Sequence, residues 1–204
     1  MKNDLTIRKE TAKDYRITEN LTRESFWNVY RPGCLEHYVL NQFRRCDDFI
    51  GDLSIVLEKD GKIIGHIMYA KAEIIAEDGT KVPIVTFGPF SVRHEYRGNG
   101  YGAYLLNYSM EKAKDMGAKA IAITGDINLY GKFGFEIART KGICYKAYPD
   151  ADFFLIKEME KGFLDNLCGS YTDPDGYFVD ETKAEEFDKN FPPKKKLKLP
   201  TQLG

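Results

Sequence analysis

Four cysteines and three histidines in 204 residues leave little material for a metal or disulfide framework. Cys34, Cys46, Cys144 and Cys168 are scattered, with no C-x-x-C pair. That distribution points away from zinc and disulfides and towards thiols in a reducing cytoplasm. His37, His66 and His94 are equally dispersed, so no metal site is expected. No apolar run approaches the roughly 18 residues that would span a bilayer. Met1-Lys2-Asn3-Asp4 leads into alternating residues without the apolar core of a signal peptide. The net charge is −1, which gives no overall attraction to nucleic acid or to an anionic membrane, and neither is expected as a partner. There is no internal repeat, and no G-x-x-x-x-G-K-S/T, so a P-loop is excluded. The hydrophobic fraction of 43% suits one domain with a sizeable core and a small appendage.

Leu5-Thr6-Ile7-Arg8 alternates and reads as a strand. Thr11 is expected to cap a helix whose apolar face is Ile17, Leu21, Ser25, Phe26 and Val29. Arg31-Pro32-Gly33 breaks it. Leu35, Tyr38, Val39, Gln42, Phe43 and Cys46 mark a second helix. Phe26 reads as core, whereas Trp27 and Tyr30 lie off the face and are candidates to line a pocket. Leu53–Glu58 and Lys62–Ile75 are strands joined by Asp60-Gly61, a tight-turn pair. Asp78-Gly79 is a second turn, and Val82–Val92 returns, giving three antiparallel strands. His66 is expected as a hydrogen-bonded, partly buried strand residue. Pro83 and Pro89 are unusual in a strand, and Pro89 is expected to break the ladder locally and free backbone groups for a ligand.

The stretch Val85–Leu106 organises the chain. It reads as a strand, a basic glycine loop (Arg93–Gly102) and a helix running to Met116, closed by Gly117. Gly98, Gly100 and Gly102 permit a sharp turn and close approach of backbone N–H groups to a bulky anion. Those groups open a helix, where the dipole favours negative charge. Arg97 adds a full positive charge. This is the chemistry of a pyrophosphate cradle. Gly98, Gly100 and Ala103 also satisfy G-x-G-x-x-A, the relaxed dinucleotide fingerprint, with Asp126 downstream. Against that reading, Arg93–Arg97 separate the strand from the first glycine, and a large part of the chain precedes the motif.

Ala118–Thr124 is a buried-strand run, so strand, helix and strand imply one parallel pairing. Gly125-Asp126 ends it, and Asn128-Leu129-Tyr130-Gly131-Lys132-Phe133-Gly134-Phe135 follows. Glu136–Ala138 and Phe153–Lys157 read as closing strands, Phe163–Leu167 as a short helix and Glu181–Phe191 as an acidic helix. Pro192–Pro200 is basic and proline-flanked, and is expected as a surface tail docked through Leu197 and Leu199.

The loop resembles the acetyl-CoA loop of the GNAT (Gcn5-related N-acetyltransferase) superfamily, whose pattern is Arg/Gln-x-x-Gly-x-Gly/Ala after a strand. Arg97, Gly100 and Gly102 fill it. Tyr130, Gly134 and Phe135 match the family's Tyr-x-x-x-Gly-Phe, in a form similar to a bacterial subgroup of predicted N-acetyltransferases. Ile127-Asn128-Leu129 departs from the Pro-Ala-Tyr commoner there. The resemblance spans residues 5 to 165. It implies an α/β (α+β) fold: a mixed, largely antiparallel central sheet flanked by helices, with one parallel strand-helix-strand junction. It also implies a GNAT-like domain over residues 1–167 and a C-terminal extension with a basic tail over 168–204.

The activity implied is acetyl transfer from acetyl-CoA, as co-substrate, to a primary amine by direct attack on the thioester. The acceptor is a small-molecule or peptide amine. Implied acetyl-CoA contacts are Phe90, Ser91, Val92, Arg97, Gly98, Asn99, Gly100, Tyr101, Gly102 and Asn128, with a backbone N–H of residues 90–92 stabilising the oxyanion. Asn128 has the alternative of a plain helix cap. Tyr130 is the candidate general acid. Glu73 and Asp126 are candidate bases, with Glu95 weaker. A non-catalytic acyl-CoA sensor is the competing class, a nicotinamide-dependent dehydrogenase stands third, and a homodimer is left open.

Overall fold

The computed structural model describes residues 5–202. The chain forms two compact units. The first takes the chain through Met68, then Pro89–Leu106, then Asp175 onward. The second takes Tyr69–Gly88 and Asn107–Pro174.

In the first unit, β1 (Leu5–Lys9) and β2 (Ile55–Lys59) pair antiparallel, as do β2 and the start of β3 (Lys62–Ala76). Asp60 (φ 50°) and Gly61 (φ 75°) are both left-handed, the two-residue turn that matches the twist of a hairpin. Helices α1 (Tyr15–Phe26) and α2 (Glu36–Phe43) follow β1 in the chain. Thr11 does not cap α1. Its N–H and hydroxyl both donate to Asp14 Oδ2, at 2.8 and 2.7 Å, and the helix starts one residue past Asp14.

The buried face of α1 also differs from the apolar stripe. It comprises Thr18, Glu19, Leu21, Thr22 and Arg23, while Ile17 and Val29 are 43% and 42% exposed. The cause is a buried polar cluster. Arg44 holds Glu10 Oε1 and Glu19 Oε1, both at 2.6 Å, and Ser54 Oγ donates to Glu10 Oε2 at 2.7 Å. His66 Nε2 lies 3.2 Å from Ser54 Oγ, which bears out its hydrogen-bonded strand role, here fully buried. Burial alone would push the Glu10 carboxyl up, but His66 and Arg44 together draw it down to about 2. Charges placed inside in this way persist because they are paired. Helix α5 (Glu181–Asp188) fits the expected acidic helix. Asp180 Oδ1 caps it, accepting from Thr182 N at 2.8 Å.

In the second unit, β4 (Lys81–Val92) pairs in parallel with β5 (Ala120–Thr124) at Val85–Ile121 and Thr86–Ala122. This is the expected parallel junction, reached through α3 (Tyr101–Asp115). Gly117, at φ 91°, closes that helix turn. Strand β8 (Phe154–Glu158) pairs antiparallel with β5 and with β6 (Glu136–Ile137). Two short strands were not legible beforehand: β7 (Ile143–Tyr145) pairs in parallel with β9 (Gly169–Tyr171), which pairs antiparallel with β3. The core here includes Ile74, Ile84, Ala120, Ala122, Ile143, Phe154, Ile156 and Tyr171. Phe163–Leu167 forms turns instead of a helix. Leu164 N donates to the Glu158 carboxylate at 2.9 Å, and Asn166 turns left-handed at φ 62°, which stops helical propagation.

Hydrogen-bonded strand order is β1-β2-β3-β4-β5-β8-β6, a mixed and largely antiparallel sheet. Among the described residues, no helix is long and apolar enough to cross a membrane.

Candidate functional site

The glycine loop leaves β4 at Val92 and enters α3 at Tyr101. Gly98 and Gly100 have φ of 76° and 81°, and nothing lies within 4 Å of where a Cβ would stand on either. Backbone handedness, not crowding within the protein, is what selects glycine there. The first bond of α3 is Tyr104 N to Gly100 O at 2.9 Å. The N–H groups of Tyr101, Gly102 and Ala103 therefore precede the intrahelical ladder, at the positive end of the helix dipole. Gly102 lies over the strand. A Cβ on it would meet Phe90 Cζ and Val92 Cγ2 at 3.5 Å, ordinary packing distance.

Arg97 is folded back on the loop. Its Nε donates to Val92 O at 3.0 Å and Nη2 donates to Ser25 O at 3.3 Å. Asn99 Nδ2 bonds Arg97 O at 3.0 Å and so ties the loop to itself. Ser91 is buried, with its Oγ 3.3 Å from Thr22 Oγ1, and Ser25 Oγ donates to Val92 O at 3.4 Å. The end of α1 thus braces the loop, a role for Thr22 and Ser25 that helical periodicity did not suggest. Lys59 Nζ donates to Tyr101 OH at 2.7 Å, adding a further cation near the helix start. Glu95 is exposed, 4.0 Å from Arg93 Nη1.

In the second unit, α4 (Ile127–Tyr130) carries the remaining motif. Asp126 is the helix cap: its Oδ1 accepts from Asn128 N and Nδ2, both at 2.9 Å. Asn128 is therefore the capped residue rather than the cap. The Tyr130 ring packs near Phe87 and Phe135, with centroids 6.0 and 5.8 Å away. A Cβ on Gly125 would stand 2.7 Å from Tyr130 Cε2, so a glycine is needed beneath the ring. Sequence reading took Gly125 only as a strand end and missed this seat. Phe87 also contacts Tyr69, whose buried hydroxyl lies 2.9 Å from Ser109 Oγ, and burial raises the Tyr69 phenol.

Glu73 lies on β3. It is half-exposed and pairs with Lys81 Nζ at 2.7 Å. The structure thus gathers Phe90, Ser91, Val92 and Arg97–Gly102 in one strand-loop-helix turn. It gathers Asp126, Asn128 and Tyr130 at one short helix, and gives Glu73 a separate partner. Among the described residues, no group of three or more His, Cys, Asp or Glu side chains could hold a metal ion.

The Acetyltransferase (GNAT) family model matches residues 15–135. The uncharacterized N-acetyltransferase YhbS of Escherichia coli (strain K12) is 29% identical over 134 residues, which cover 66% of this chain and 75% of that protein. Among solved structures, a GNAT family N-acetyltransferase (YhbS) from Escherichia coli in complex with CoA gives a TM-score of 0.75 at 22% identity, covering 87% of this chain and 93% of that one. A GNAT family acetyltransferase from Brucella melitensis in complex with acetyl-CoA gives 0.70 at 22% identity, covering 86% and 99%. The shared fold is the one the sequence motifs led us to expect.

Proposed function

Because the chain belongs to the GNAT family of acetyltransferases, we propose that it transfers an acetyl group from acetyl-CoA to a primary amine of a small molecule or peptide in the cytoplasm. The observation that carries this reading is the loop. Two left-handed glycines, in the loop that carries Arg97, lead the chain into the first amides of α3, a geometry suited to a diphosphate. The similar folds from Escherichia coli and Brucella melitensis hold CoA and acetyl-CoA, which supports the same co-substrate here. Residues 1–167 would form the catalytic domain and 168–204 its extension.

In the proposed reaction the amine nitrogen, once deprotonated, attacks the thioester carbonyl. The tetrahedral oxyanion is met by a backbone N–H of Phe90–Val92. Collapse re-forms the carbonyl, breaks the C–S bond and releases the CoA thiolate, which takes its proton from the Tyr130 hydroxyl, while the surplus proton of the former amine nitrogen leaves and restores the phenol. Phenols ordinarily titrate near 10 and thiols near 8.5, so a tyrosine hydroxyl can serve as the donor to a departing thiolate. Asp126 and Glu73 are the candidate bases for the ammonium proton. Both carboxylates already have partners, Asn128 and Lys81, and a base role must be exercised from within those contacts.

The competing class is a module that binds acyl-CoA without turnover. Calorimetry with acetyl-CoA and a free-thiol release assay over an amine panel separate the two. Thiol release that depends on a particular amine supports the enzyme; tight binding with no release across the panel supports the sensor.

A further inference from the structure

At the end of α5 the carboxylate of Asp188 meets α1. Arg23 of α1 is 1% exposed. Its Nε reaches Asp188 Oδ1 at 2.6 Å and Nη2 reaches Asp188 Oδ2 at 3.2 Å. Its guanidinium lies 4.1 Å from the Trp27 ring centroid and 5.4 Å from that of Phe191, a residue just past α5. His37 of α2 is also fully buried. Its Nε2 is 3.1 Å from Asp188 Oδ1, and its ring packs against Phe187 and Phe191. Asp188 therefore meets both helices at once.

Arg23 stands between Thr22, whose hydroxyl reaches Ser91, and Ser25, whose carbonyl accepts from Arg97. The same end of α1 is tied to residues 194–197. Asn28, left-handed at φ 60°, accepts on Oδ1 from Leu197 N at 3.0 Å and from Gly33 N at 2.8 Å. Its Nδ2 donates to Lys195 O, as does Trp27 Nε1, both at 3.1 Å. Lys194 pairs with Glu24 at 2.7 Å.

We propose that Asp188 is a positioning residue that couples the C-terminal extension to acetyl-CoA binding. By neutralising Arg23 it holds the last turn of α1 against Ser91, Val92 and Arg97. This inference rests on the loop being the acyl-CoA site. Removing the Asp188 charge leaves the buried guanidinium with only the longer contact of Nη1 to Glu24 Oε1 at 3.7 Å, and α1 must shift to rehydrate it. The loop then loses its brace. Coupling between binding and a structural element is reciprocal, so acetyl-CoA must in turn tighten the extension.

Another reading of these groups is a thiol relay, since Cys34 Sγ lies 3.3 Å from His37 Nδ1. Burial pushes the Cys34 thiol up, and burial lowers His37 to about 4, so both stay neutral near neutral pH. A neutral thiol beside a neutral imidazole is not an activated nucleophile. The Asp188 carboxylate serves Arg23.

The test combines calorimetry and amide exchange on the full chain. Asp188→Asn keeps the shape and removes the charge. It is expected to weaken acetyl-CoA by roughly 5- to 50-fold. In the wild type, saturating acetyl-CoA should slow exchange across residues 181–202, and Asp188→Asn should lose that protection. A melting point lowered with unchanged acetyl-CoA affinity would make the residue merely structural and overturn the proposal. So would protection that survives in Asp188→Asn, since that indicates direct contact. If Asp188→Asn does not fold, Asn28→Gly keeps the left-handed backbone while removing the tail anchor, and should weaken acetyl-CoA in the same direction. Exchange unchanged by acetyl-CoA in the wild type overturns the coupling without any variant. A wild type that binds no acetyl-CoA overturns the acyl-CoA reading itself, and the coupling with it.

Discussion

The ring of Tyr130 lies directly over the backbone of Gly125, with Cε2 and Cδ2 at 2.7 and 2.8 Å from the position a Cβ would take. The glycine at the end of β5 and the tyrosine at the end of α4 therefore form one unit. Asp126 sets the start of the helix between them by accepting from Asn128 N.

Tyr130→Phe keeps the ring on that seat and removes only the hydroxyl. As general acid, its loss should lower turnover by roughly 100-fold or more, with acetyl-CoA affinity nearly unchanged. Gly125→Ala should also lower turnover, this time by displacing the ring. Steady-state rates on a substrate for which chemistry is limiting decide the matter. Wild-type turnover in Tyr130→Phe would remove the assignment.

Gly100→Ala tests the cradle. A non-glycine residue held at φ near 81° is strained by about 1–2 kcal/mol. The surroundings are open within the protein, so the fold should survive. Acetyl-CoA affinity should fall further than stability does, because the new methyl also obstructs the approach of the diphosphate. The Arg97 contribution should weaken as salt rises. Equal affinity for acetyl-CoA in wild type and Gly100→Ala would contradict the assignment.

The base candidates can be tested without disturbing their surroundings. Asn caps a helix about as well as Asp, so Asp126→Asn should preserve α4. Glu73→Gln removes a half-exposed ion pair worth at most about 1 kcal/mol. Either variant should abolish the acidic limb of the pH–rate profile if its carboxylate is the base. A limb that survives in both variants eliminates them.

What could be read from the sequence was what local backbone chemistry dictates. Gly98, Gly100 and Asp60-Gly61 announce turns, and those turns stand where expected, with left-handed backbone. The face of α1 was misread because its buried positions are polar, and their partners are distant in the chain. Glu19 finds Arg44 across 25 residues, and Arg23 finds Asp188 across 165. An apolar-periodicity argument cannot see a charge whose neutraliser lies so far away. The tail docks as expected at Leu197, but by a different kind of contact. It docks through backbone groups of Lys195 and Leu197 on Asn28, while Leu197 and Leu199 stay 39% exposed.

The same buried partners predict how acid unfolds the chain. Burial lowers His37 from 6.5 to about 4, opposed by Asp188 and reinforced by Arg23 and Arg16. Between those values the unfolded chain takes a proton that the folded chain refuses. Stability from this group is thus full above pH 6.5 and falls as pH drops towards 4, by at most about 1.4 kcal/mol per pH unit. Glu10 acts in a lower window. Its folded value of about 2 lies below its ordinary 4.5, so its contribution is present above 4.5 and is lost as pH falls through 2. Asp14, lowered chiefly by its hydrogen bonds from Arg8, works in the same direction. Urea midpoints against pH should therefore decline in two stages. His37→Gln should flatten the upper stage and leave the lower one in place. A wild-type midpoint that stays constant from pH 6.5 to 4.5 would show that His37 is not held neutral.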